Sequence, residues 1–286
     1  MGLRRLRDFS RDAGSPRMTR CAYVTLVTNA DFARGAAALL QSLRLTGTAA
    51  DLVVMHTEAV EAAALAPLVE RGARLVAVSL LPTSPAFNAA HARDALHGRD
   101  PFTKGGKPPF HTPLDNFAKL RLWQLEYDRV VFLDADTLVL QNIDRLFDYP
   151  EFCAAPNVYE SLADFGRMNS GVFTARPSQA TFDAMLTRLD APGAYWRRTD
   201  QTFLQDYFSD WHGLPVYDNM LQYVWFSLPE LWDWSRIRVL HFQYEKPWTE
   251  HAKSDRLRPL IDLWRGYEAG APAPDLSALP GPATGA

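Results

Sequence analysis

Two acidic residues, Asp134 and Asp136, follow directly on an apolar run at residues 130–133. Such a run is typical of a strand that is buried on both faces of a sheet. In extended chain the i, i+2 spacing turns both carboxylates to one side, where they repel each other unless a cation lies between them. Hard oxygen ligands suit Mg²⁺ or Mn²⁺. The motif therefore predicts a metal site at the carboxyl end of a strand, where open α/β sheets bind ligands.

Strand and helix patterns alternate along the chain and predict the frame that holds these acids. Runs of β-branched and apolar residues predict strands at 22–28, 52–55, 74–78, 130–133, 153–155, 171–174 and 237–240. Helical spacing and cap residues predict helices at 32–45, 58–70, 115–125, 142–146, 178–189, 200–207 and 257–267. This alternation indicates a three-layer α/β/α fold with a mainly parallel central sheet.

The composition of the 286-residue chain limits the classes of function. Apolar residues make up 47% of it, enough for the core of one large domain or two small ones. The net charge of −3 gives no reason to expect nucleic acid as a partner. The two cysteines, Cys21 and Cys153, fit a reducing compartment and a cytoplasmic protein, although the sequence leaves their pairing open.

Three segments depart from the regular pattern. Residues 1–20 carry six arginines and predict a disordered basic leader, which could make weak contact with an acidic membrane. Residues 83–114 are rich in proline and glycine and predict a flexible loop or insertion, either functional or disordered. Residues 269–286 are mostly Ala, Pro and Gly and predict a disordered tail. No apolar run approaches the ~20 residues of a transmembrane helix.

Several short motifs match one known family in the correct order. They are Thr-Leu-Val-Thr-Asn at 25–29, Lys119-Leu120 with Trp123, Asp-Ala-Asp-Thr-Leu at 134–138, Asn-Ser-Gly-Val-Phe at 169–173, Asp200-Gln201, and His241-Phe242 with Lys246-Pro247-Trp248. With these motifs the chain resembles the family 8 glycosyltransferases, the glycogenin-like group with the GT-A fold. The resemblance implies one GT-A domain, Rossmann-like and three-layered, over residues 21–268.

The resemblance also implies a reaction. It implies a retaining hexosyltransferase that moves a hexose from a UDP-sugar, with UDP-glucose or UDP-galactose expected, to an acceptor hydroxyl of a saccharide, a polyol or a lipid-linked molecule. Retention fits a double displacement with Asp200 as the nucleophile, or a front-face substitution assisted by the leaving diphosphate. We favour the second route, in which Asp200 and Gln201 position the sugar and stabilise charge.

Individual residues take roles from the same resemblance. Asp134, Asp136 and His241 would hold the metal, and an imidazole among carboxylates favours Mn²⁺, with Mg²⁺ as the alternative. Lys246 would meet the diphosphate as a point charge. Lys119 would lie at the nucleotide-sugar site as a third catalytic group beside the Asp-Gln pair.

A wider set of residues would bind the donor. The first strand and its loop would meet the uridine, the small residue between the two acids would leave room for the ribose, and amide and hydroxyl groups would meet the sugar hydroxyls. Besides the metal ligands and the two lysines, the residues assigned to the donor are Leu26, Thr28, Asn29, Phe32, Ala135, Asn169, Ser170 and Gly171.

Some positions differ from glycogenin. Arg197 stands where glycogenin has an aspartate just before the Asp-Gln pair, which leaves the acceptor and the sugar open. Phe226 matches the region of glycogenin's primer tyrosine, with Tyr223 nearby, and this argues against self-glucosylation.

Rival classes fit parts of the pattern. A haloacid-dehalogenase-like phosphatase would need threonine where the chain has Leu138. A nucleotidyltransferase on a related fold would have no use for the histidine and lysine motif at 241–248. A non-catalytic sugar-binding or scaffold protein would be expected to lose a metal ligand, and all three candidates are present. The sequence leaves the oligomeric state open, a homodimer included.

Overall fold

The computed structural model describes residues 19–99, 112–158 and 160–282 of the chain. The strands in these ranges are β1 (Cys21–Val27), β2 (Asp51–His56), β3 (Arg74–Ala77), β4 (Arg129–Leu133), β5 (Thr137–Val139), β6 (Cys153–Pro156), β7 (Met168–Ala175), β8 (His212–Gly213), β9 (Met220–Leu221) and β10 (Val239–His241). The predicted leader up to residue 18 and the end of the predicted tail from residue 283 lie outside the described residues.

Helices connect most of these strands. The α-helices are α1 (Ala30–Leu45), α2 (Ala62–Glu70), α3 (Pro85–His91), α4 (Arg93–Arg99), α5 (Pro113–Phe117), α6 (Gln179–Leu189), α7 (Thr199–Tyr207), α8 (Val224–Ser227) and α9 (Arg258–Glu268). Short 3-10 helices cover Ala118–Gln124, Asp144–Asp148, Leu162–Asp164, Val216–Asp218, Pro229–Leu231 and Leu276–Ala278. In the part of the chain that the structure describes, no helix has the length and apolar character needed to cross a bilayer.

The main sheet has the strand order β3-β2-β1-β4-β7-β6-β8. β1 pairs in parallel with β2 and β4, and β2 pairs in parallel with β3. β7 runs antiparallel to its neighbours β4 and β6. A second sheet of three strands has the order β5-β10-β9. The prediction of an α/β fold with a mainly parallel central sheet is therefore confirmed.

Alternate residues of β4 belong to different layers. Val130 and Phe132 pack in one core with Trp123 and with residues of α6 and α7. Val131 and Leu133 pack in another core with residues of α1. Because successive side chains of a strand point to opposite faces, helices cover both faces of the main sheet and produce the three layers.

A further core lies around the small sheet and α9. It contains residues of β9 and β10 together with aromatic side chains of the last third of the chain. The buried tryptophans of this core are Trp225, Trp232, Trp234 and Trp264. This core fixes β10, the strand that ends at His241.

The structure differs from the expectation of a structureless segment at 83–114. Residues 85–99 form α3 and α4, and residues 100–111 lie outside the described ranges. The Ser84 hydroxyl accepts a hydrogen bond from the Phe87 backbone N–H, and proline occupies the first turn of α3. Phe87 and His91 are buried. A cap and two buried anchors are enough to order a segment whose composition is typical of a loop.

The predicted helix at 115–125 is also divided. α5 is followed by a 3-10 helix, Ala118–Gln124. Three buried side chains of this region, Phe117, Leu120 and Trp123, are spaced by three residues. That spacing lines one face of a helix with three residues per turn, so packing on the sheet favours the tighter form. The predicted helix at 142–146 is likewise a 3-10 helix at Asp144–Asp148, and α2 begins at Ala62 rather than at residue 58.

The predicted tail is ordered over its described part, residues 269–282. Leu276 and Leu279 pack against the tryptophan-rich core, and the indole N–H of Trp234 donates to the Pro280 carbonyl at 2.8 Å. These contacts differ from what the composition predicts, because two leucines and one backbone acceptor find partners on the domain. Both cysteines are free thiols.

Candidate active site

Two strands of the small sheet bring the predicted metal ligands together. Asp134 and Asp136 lie between β4 and β5, and antiparallel pairing of β5 with β10 sets Thr137 opposite His241. Nε2 of His241 is 3.3 Å from Oδ1 of Asp136 and 3.9 Å from Oδ2 of Asp134. One ligand atom from each of the three side chains lies within 4.8 Å of the others. The three side chains are thus close enough to bind one cation together.

Two lysines partly neutralise these carboxylates. The Lys246 ammonium donates to Asp136, and Nζ of Lys119 lies 3.0 Å from Asp134 and 2.7 Å from Asp200. All of these side chains are buried except that of Asp134, which is 31% exposed. Three carboxylates therefore face two ammonium groups. A divalent cation would reverse the sign of this excess and make the cluster attractive to a diphosphate.

The pKa values of the cluster follow from burial and charge together. Burial would raise the pKa of Asp136, but the positive charge of Lys246 outweighs it and holds that pKa below its ordinary value. Burial and the neighbouring carboxylates raise the pKa of Asp134, against the opposing charge of Lys119. Burial would lower the pKa of Lys119, but its two carboxylate partners raise it above the ordinary value. Lys119 is therefore a permanent cation of the site.

A chain of amides determines which nitrogen of His241 carries a proton. The Gly171 backbone N–H donates to Oδ1 of Asn169 at 2.8 Å. The amide NH₂ of Asn219 donates to the same oxygen at 2.9 Å, which turns Oδ1 of Asn219 toward Nδ1 of His241, also at 2.9 Å. An amide oxygen only accepts, so Nδ1 bears a proton, and the neutral ring then has its Nε2 lone pair on the side of the aspartates. This is the tautomer that a metal ligand requires.

A close approach of strand β7 supports the same histidine. A Cβ atom at Gly171 would lie 2.3 Å from Cε1 of His241 and 2.6 Å from its Nδ1. The Gly171 carbonyl also accepts a hydrogen bond from the Asp134 backbone N–H at 2.8 Å. Only glycine leaves room for the imidazole here, so the predicted sugar motif at 169–171 serves the metal site as well.

The predicted Asp-Gln pair opens α7 beside this cluster. Oδ2 of Asp200 accepts hydrogen bonds from Lys119 at 2.7 Å and from the Ser170 hydroxyl at 2.8 Å, and its Oδ1 accepts from the Thr199 hydroxyl at 2.9 Å. Oε1 of Gln201 accepts from the Ser170 backbone N–H at 3.5 Å. Both carboxylate oxygens of Asp200 are therefore engaged by donors from three different parts of the chain.

The residues predicted for the uridine are less closely tied to the cluster. Leu26 packs against the main core, and Asn29 caps α1 by accepting from the Phe32 backbone N–H at 3.0 Å. The Thr28 carbonyl accepts a hydrogen bond from Thr57 at 3.4 Å. Phe32 does reach the site, because the Lys246 ammonium lies 5.7 Å from its ring centroid. The structure thus connects Phe32 to the acids and shows strand and cap contacts for the other three.

Ala135 is buried between the acids, and helix α1 lies close to its backbone. A Cβ atom at Gly35 of α1 would lie 2.5 Å from the Ala135 carbonyl oxygen and 2.8 Å from the Trp248 ring. Helix α1 therefore presses directly on the acidic motif and on the tryptophan that follows Lys246. Trp248 also meets Phe32 edge-on, with ring centroids 5.6 Å apart.

The side chains of Gln222 and Tyr223 hold the loop that carries Lys246, a role that the sequence analysis did not predict for them. The Gln222 side chain donates to the Gln243 carbonyl at 2.5 Å and to the Glu245 carbonyl at 2.8 Å. The Tyr223 hydroxyl donates to the Glu245 carboxylate at 2.5 Å. Lys246 itself donates to the Phe242 carbonyl at 3.1 Å.

Asn219 and Gln222 could not be recognised from their sequence surroundings. Both are fully buried, yet each stands at the edge of a very short apolar segment, where a polar residue is typical of an exposed turn. Their common property is position, because they flank β9, the neighbour of the strand that ends at His241.

Comparisons with known proteins agree with this geometry. The family model Glycosyl transferase family 8 matches residues 23–159. The putative UDP-glucuronate:xylan alpha-glucuronosyltransferase 5 of Arabidopsis thaliana is 32% identical over 236 residues, covering 80% of this chain and 36% of that protein. Human glycogenin-1 is 35% identical over 195 residues, covering 68% of this chain and 50% of that protein. The chain thus spans about a third to a half of the length of these relatives.

Solved structures share the fold at low sequence identity. The galactosyltransferase LgtC in complex with donor and acceptor sugar analogs has a TM-score of 0.58 at 16% identity, covering 89% of this chain and 97% of that one. The WbbM bifunctional glycosyltransferase has a TM-score of 0.61 at 19% identity, covering 90% and 51%. The expected GT-A architecture is confirmed by these neighbours. With the family model and the relatives matched over the same domain, the chain belongs to glycosyltransferase family 8.

Proposed function

We propose that the chain is a retaining, metal-dependent hexosyltransferase that uses a UDP-sugar, UDP-glucose or UDP-galactose first of all, and an acceptor hydroxyl. One observation carries the proposal, namely that Asp134, Asp136 and His241 converge within 4.8 Å. Lys246 and Lys119 stand against the same carboxylates. A neutral imidazole nitrogen with two carboxylates suits Mn²⁺, with Mg²⁺ as the alternative.

The roles of the residues follow from where charge develops. When bound, the metal would supply positive charge to the leaving diphosphate. Lys246 binds the same diphosphate, because it is a cation beside the ligand group on a loop fixed by Gln222. A fixed cation stabilises the charge that grows as the sugar–phosphate bond breaks, and so it lowers the barrier more than it strengthens substrate binding.

The geometry of Asp200 favours front-face substitution. Its two oxygens already accept hydrogen bonds from Lys119, Ser170 and Thr199, which weakens it as a nucleophile. In the front-face route the C1–diphosphate bond breaks, the C1–acceptor oxygen bond forms on the same face, and the acceptor proton moves to the leaving diphosphate oxygen. Asp200 then stabilises positive charge on the sugar ring and Gln201 orients the ring.

A second donor class has its own support. The plant relatives are named for the transfer of glucuronate from UDP-glucuronate. The resemblance to glycogenin, by contrast, implies the transfer of glucose. UDP-glucuronate is therefore the second candidate donor. Membership in family 8 and the retention of all three metal ligands favour a transferase over a nucleotidyltransferase or a scaffold protein.

The free thiols of Cys21 and Cys153 support a reducing compartment, and we propose the cytoplasm. The thiols leave the acceptor undefined, because they bear on the compartment alone.

Binding of UDP in the presence of Mn²⁺ tests the proposal directly. The wild-type protein should be stabilised by both together, by about 2.7 kcal/mol at a hundredfold excess over the dissociation constant. Asp136→Asn should abolish the Mn²⁺-dependent part of this gain, whereas Asp255→Asn at a 98%-exposed site should not. Thermal unfolding reports both. If Mn²⁺ and UDP together do not stabilise the wild-type protein against unfolding, the proposed function is wrong.

Stereochemistry provides the second test. Incubation with UDP-glucose, UDP-galactose and UDP-glucuronate in turn should identify the donor through release of UDP. NMR of the first-formed product should then show the anomeric configuration of the donor. An inverted product would exclude the front-face route.

A further inference from the structure

A cavity adjoins the predicted catalytic pair, because Gln201 is one of its lining residues. Its volume is about 360 Å³, within the range of about 300–1,000 Å³ that is typical of small-molecule sites. We call it the arginine pocket. It is lined by Arg167, Arg197, Arg198, Gln201, Thr202, Gln205 and Asp206. Every lining residue carries a polar or charged group on its side chain, so the wall can form hydrogen bonds with a hydroxyl-rich ligand.

Positive charge dominates the arginine pocket. Three arginines line it together with one acid, Asp206, and Arg167 is also ion-paired with Asp164, which is not a lining residue. The Asp206 carboxylate accepts two hydrogen bonds from Arg188, at 3.1 and 3.0 Å, and Arg188 is not a lining residue. The pocket also takes in the first turns of α7, whose N-terminal end carries a positive partial charge. An anionic group is therefore favoured there.

Hydrogen-bond donors outnumber acceptors in the pocket wall. Nε of Arg167 is a buried donor that has no hydrogen-bond partner among the described residues. The side-chain oxygens of Gln201 and Gln205 accept from the backbone N–H groups of Ser170 and Met168 on β7, at 3.5 and 3.3 Å. Their NH₂ groups are then the atoms that a ligand can meet. A ligand rich in acceptors, with a negative charge, satisfies these groups.

The pocket shares a wall with the proposed site of transfer. Gln201 lines the pocket and follows Asp200, so the two Cα atoms are about 3.8 Å apart. Ser170 links the two residues, because its hydroxyl donates to Asp200 at 2.8 Å and its N–H to Gln201. A sugar that reacts beside Asp200 therefore has one edge next to the arginines, or else the acceptor sugar that it reacts with lies there.

We infer that the arginine pocket binds the carboxylate of a uronic acid, either on the transferred sugar or on the acceptor sugar. The inference rests on the proposed function, because it assumes that a sugar reacts beside Asp200 and Gln201. A guanidinium group and a carboxylate are both planar and form two parallel hydrogen bonds, which a neutral hydroxymethyl group cannot replace. The amides and Thr202 remain for ring hydroxyls.

The donor arm of the test compares UDP-glucuronate with UDP-glucose. With Mn²⁺ present, calorimetry gives both dissociation constants and UDP release gives both values of kcat/KM. If the donor brings the carboxylate, Arg197→Gln and Arg198→Gln should each lower the UDP-glucuronate to UDP-glucose ratio at least tenfold. Arg197→Lys should lose less, because it keeps the charge but not the planar fork.

The acceptor arm uses methyl glucuronide and methyl glucoside with the better donor. If the acceptor brings the carboxylate, the donor ratio stays constant in the variants, and the glucuronide to glucoside ratio of transfer rates falls at least tenfold. Either pattern supports the inference and the two arms identify the source.

The control variant removes one positive charge at an arginine outside the pocket. Arg44→Gln lies in the last turn of α1, outside the pocket and exposed, and should change neither ratio. Circular dichroism should show that all variants are folded, as expected for the exposed position of Arg197. If both ratios in the pocket variants match those of Arg44→Gln, the inference is wrong. If UDP-glucose and UDP still bind in that case, the proposed function survives; if wild-type protein binds neither, both fail.

Discussion

The protonation of His241 shows how much of this site depends on single atoms. Its Nε2 faces two aspartates, and the amide chain through Asn219 and Asn169 leaves the proton on Nδ1. A histidine whose proton sat on Nε2 would donate to the carboxylates and could not accept a metal. In the proposed metal site the two asparagines would therefore act as positioning residues.

Replacing Asn219 should weaken metal binding. We expect Asn219→Leu to reduce the affinity for Mn²⁺ about 10- to 100-fold, the usual effect of losing a hydrogen bond to a metal-binding histidine. Calorimetry measures the affinity, and nitrogen chemical shifts of the His241 ring report the tautomer. Asn142→Leu, at an exposed turn, is the control. Unchanged affinity together with an unchanged ring spectrum would contradict the positioning role.

Backbone strain also concentrates at the site. Among the described residues, two non-glycine positions have positive φ, Thr199 at 48° and Tyr244 at 66°. Thr199 immediately precedes Asp200, and Tyr244 lies between His241 and Lys246. Such conformations cost about 1–3 kcal/mol and persist where surrounding contacts hold them. Here they set the direction of the residues that follow.

At the scale of elements, β7 couples the sugar motif to the metal ligands. It lies next to β4 in the sheet, and at Gly171 its backbone lies against the imidazole of His241 on β10. The main sheet and the small sheet thus approach each other closely at a residue without a side chain. Any side chain there must move either the strand or the histidine.

Substitution of this glycine should separate folding from metal binding. Gly171→Ala would bring Cβ to 2.3 Å from the His241 ring, so we expect loss of Mn²⁺ affinity of tenfold or more and destabilisation of about 1–3 kcal/mol from overpacking. Metal titration and urea unfolding measure the two effects. Gly213→Ala on β8 is a matched control, since its Cβ would meet nothing within 4 Å. Equal metal affinity in both variants would show that the close approach is unimportant.

Helix α3 is attached to the loop before α7 through His91. Nδ1 of His91 donates to the Phe87 carbonyl at 2.9 Å, and its Nε2 accepts from the Trp196 backbone N–H at 2.9 Å. The bond from Trp196 requires a neutral ring, because a protonated Nε2 cannot accept. Burial lowers the pKa of His91 below its ordinary value of about 6.5.

This lowered pKa predicts a loss of stability in acid. The unfolded chain takes up the proton first as the pH falls, so the contribution of His91 is complete above about pH 6.5 and is lost progressively below it. His91→Gln keeps a donor and an acceptor but does not titrate. Urea unfolding at about pH 7.5 and pH 5 should show a smaller acid-induced loss in this variant than in wild type. His212→Gln, at an exposed residue, should behave as wild type, and equal losses in all three proteins would exclude the role of His91.

For the whole molecule, the last described segment behaves as part of the domain. Residues 271–282 lie over α9 with a cavity of about 460 Å³ between them, and Leu276 and Leu279 join the core around the small sheet. Truncation after Gly270 should therefore cost about 2–4 kcal/mol, the value of burying two partly exposed leucines. Urea unfolding measures the loss. Truncation after Pro282 is the control, and identical midpoints would restore the view of a loose tail.

Local patterns predicted most of the elements of this molecule. Alternating strand and helix signals gave the α/β class, and the acidic motif after β4 predicted carboxylates at a strand end. Helix type was harder, because the three-residue spacing of Phe117, Leu120 and Trp123 became decisive only once they packed on the sheet. The order in the tail and in residues 85–99 depends on contacts with distant residues, which composition does not contain.

The sequence by itself determined which groups could bind a metal and on which local elements they stand, because strand periodicity and cap residues act within a few positions. Only the tertiary structure decided that His241 meets Asp134 and Asp136, that Asn219 fixes its tautomer, and that Arg167 lies in the same pocket as Gln201. Those relations join residues about 20 to 100 positions apart along the chain. The packing of the two sheets and their helices creates these relations, and no short-range sequence pattern encodes that packing.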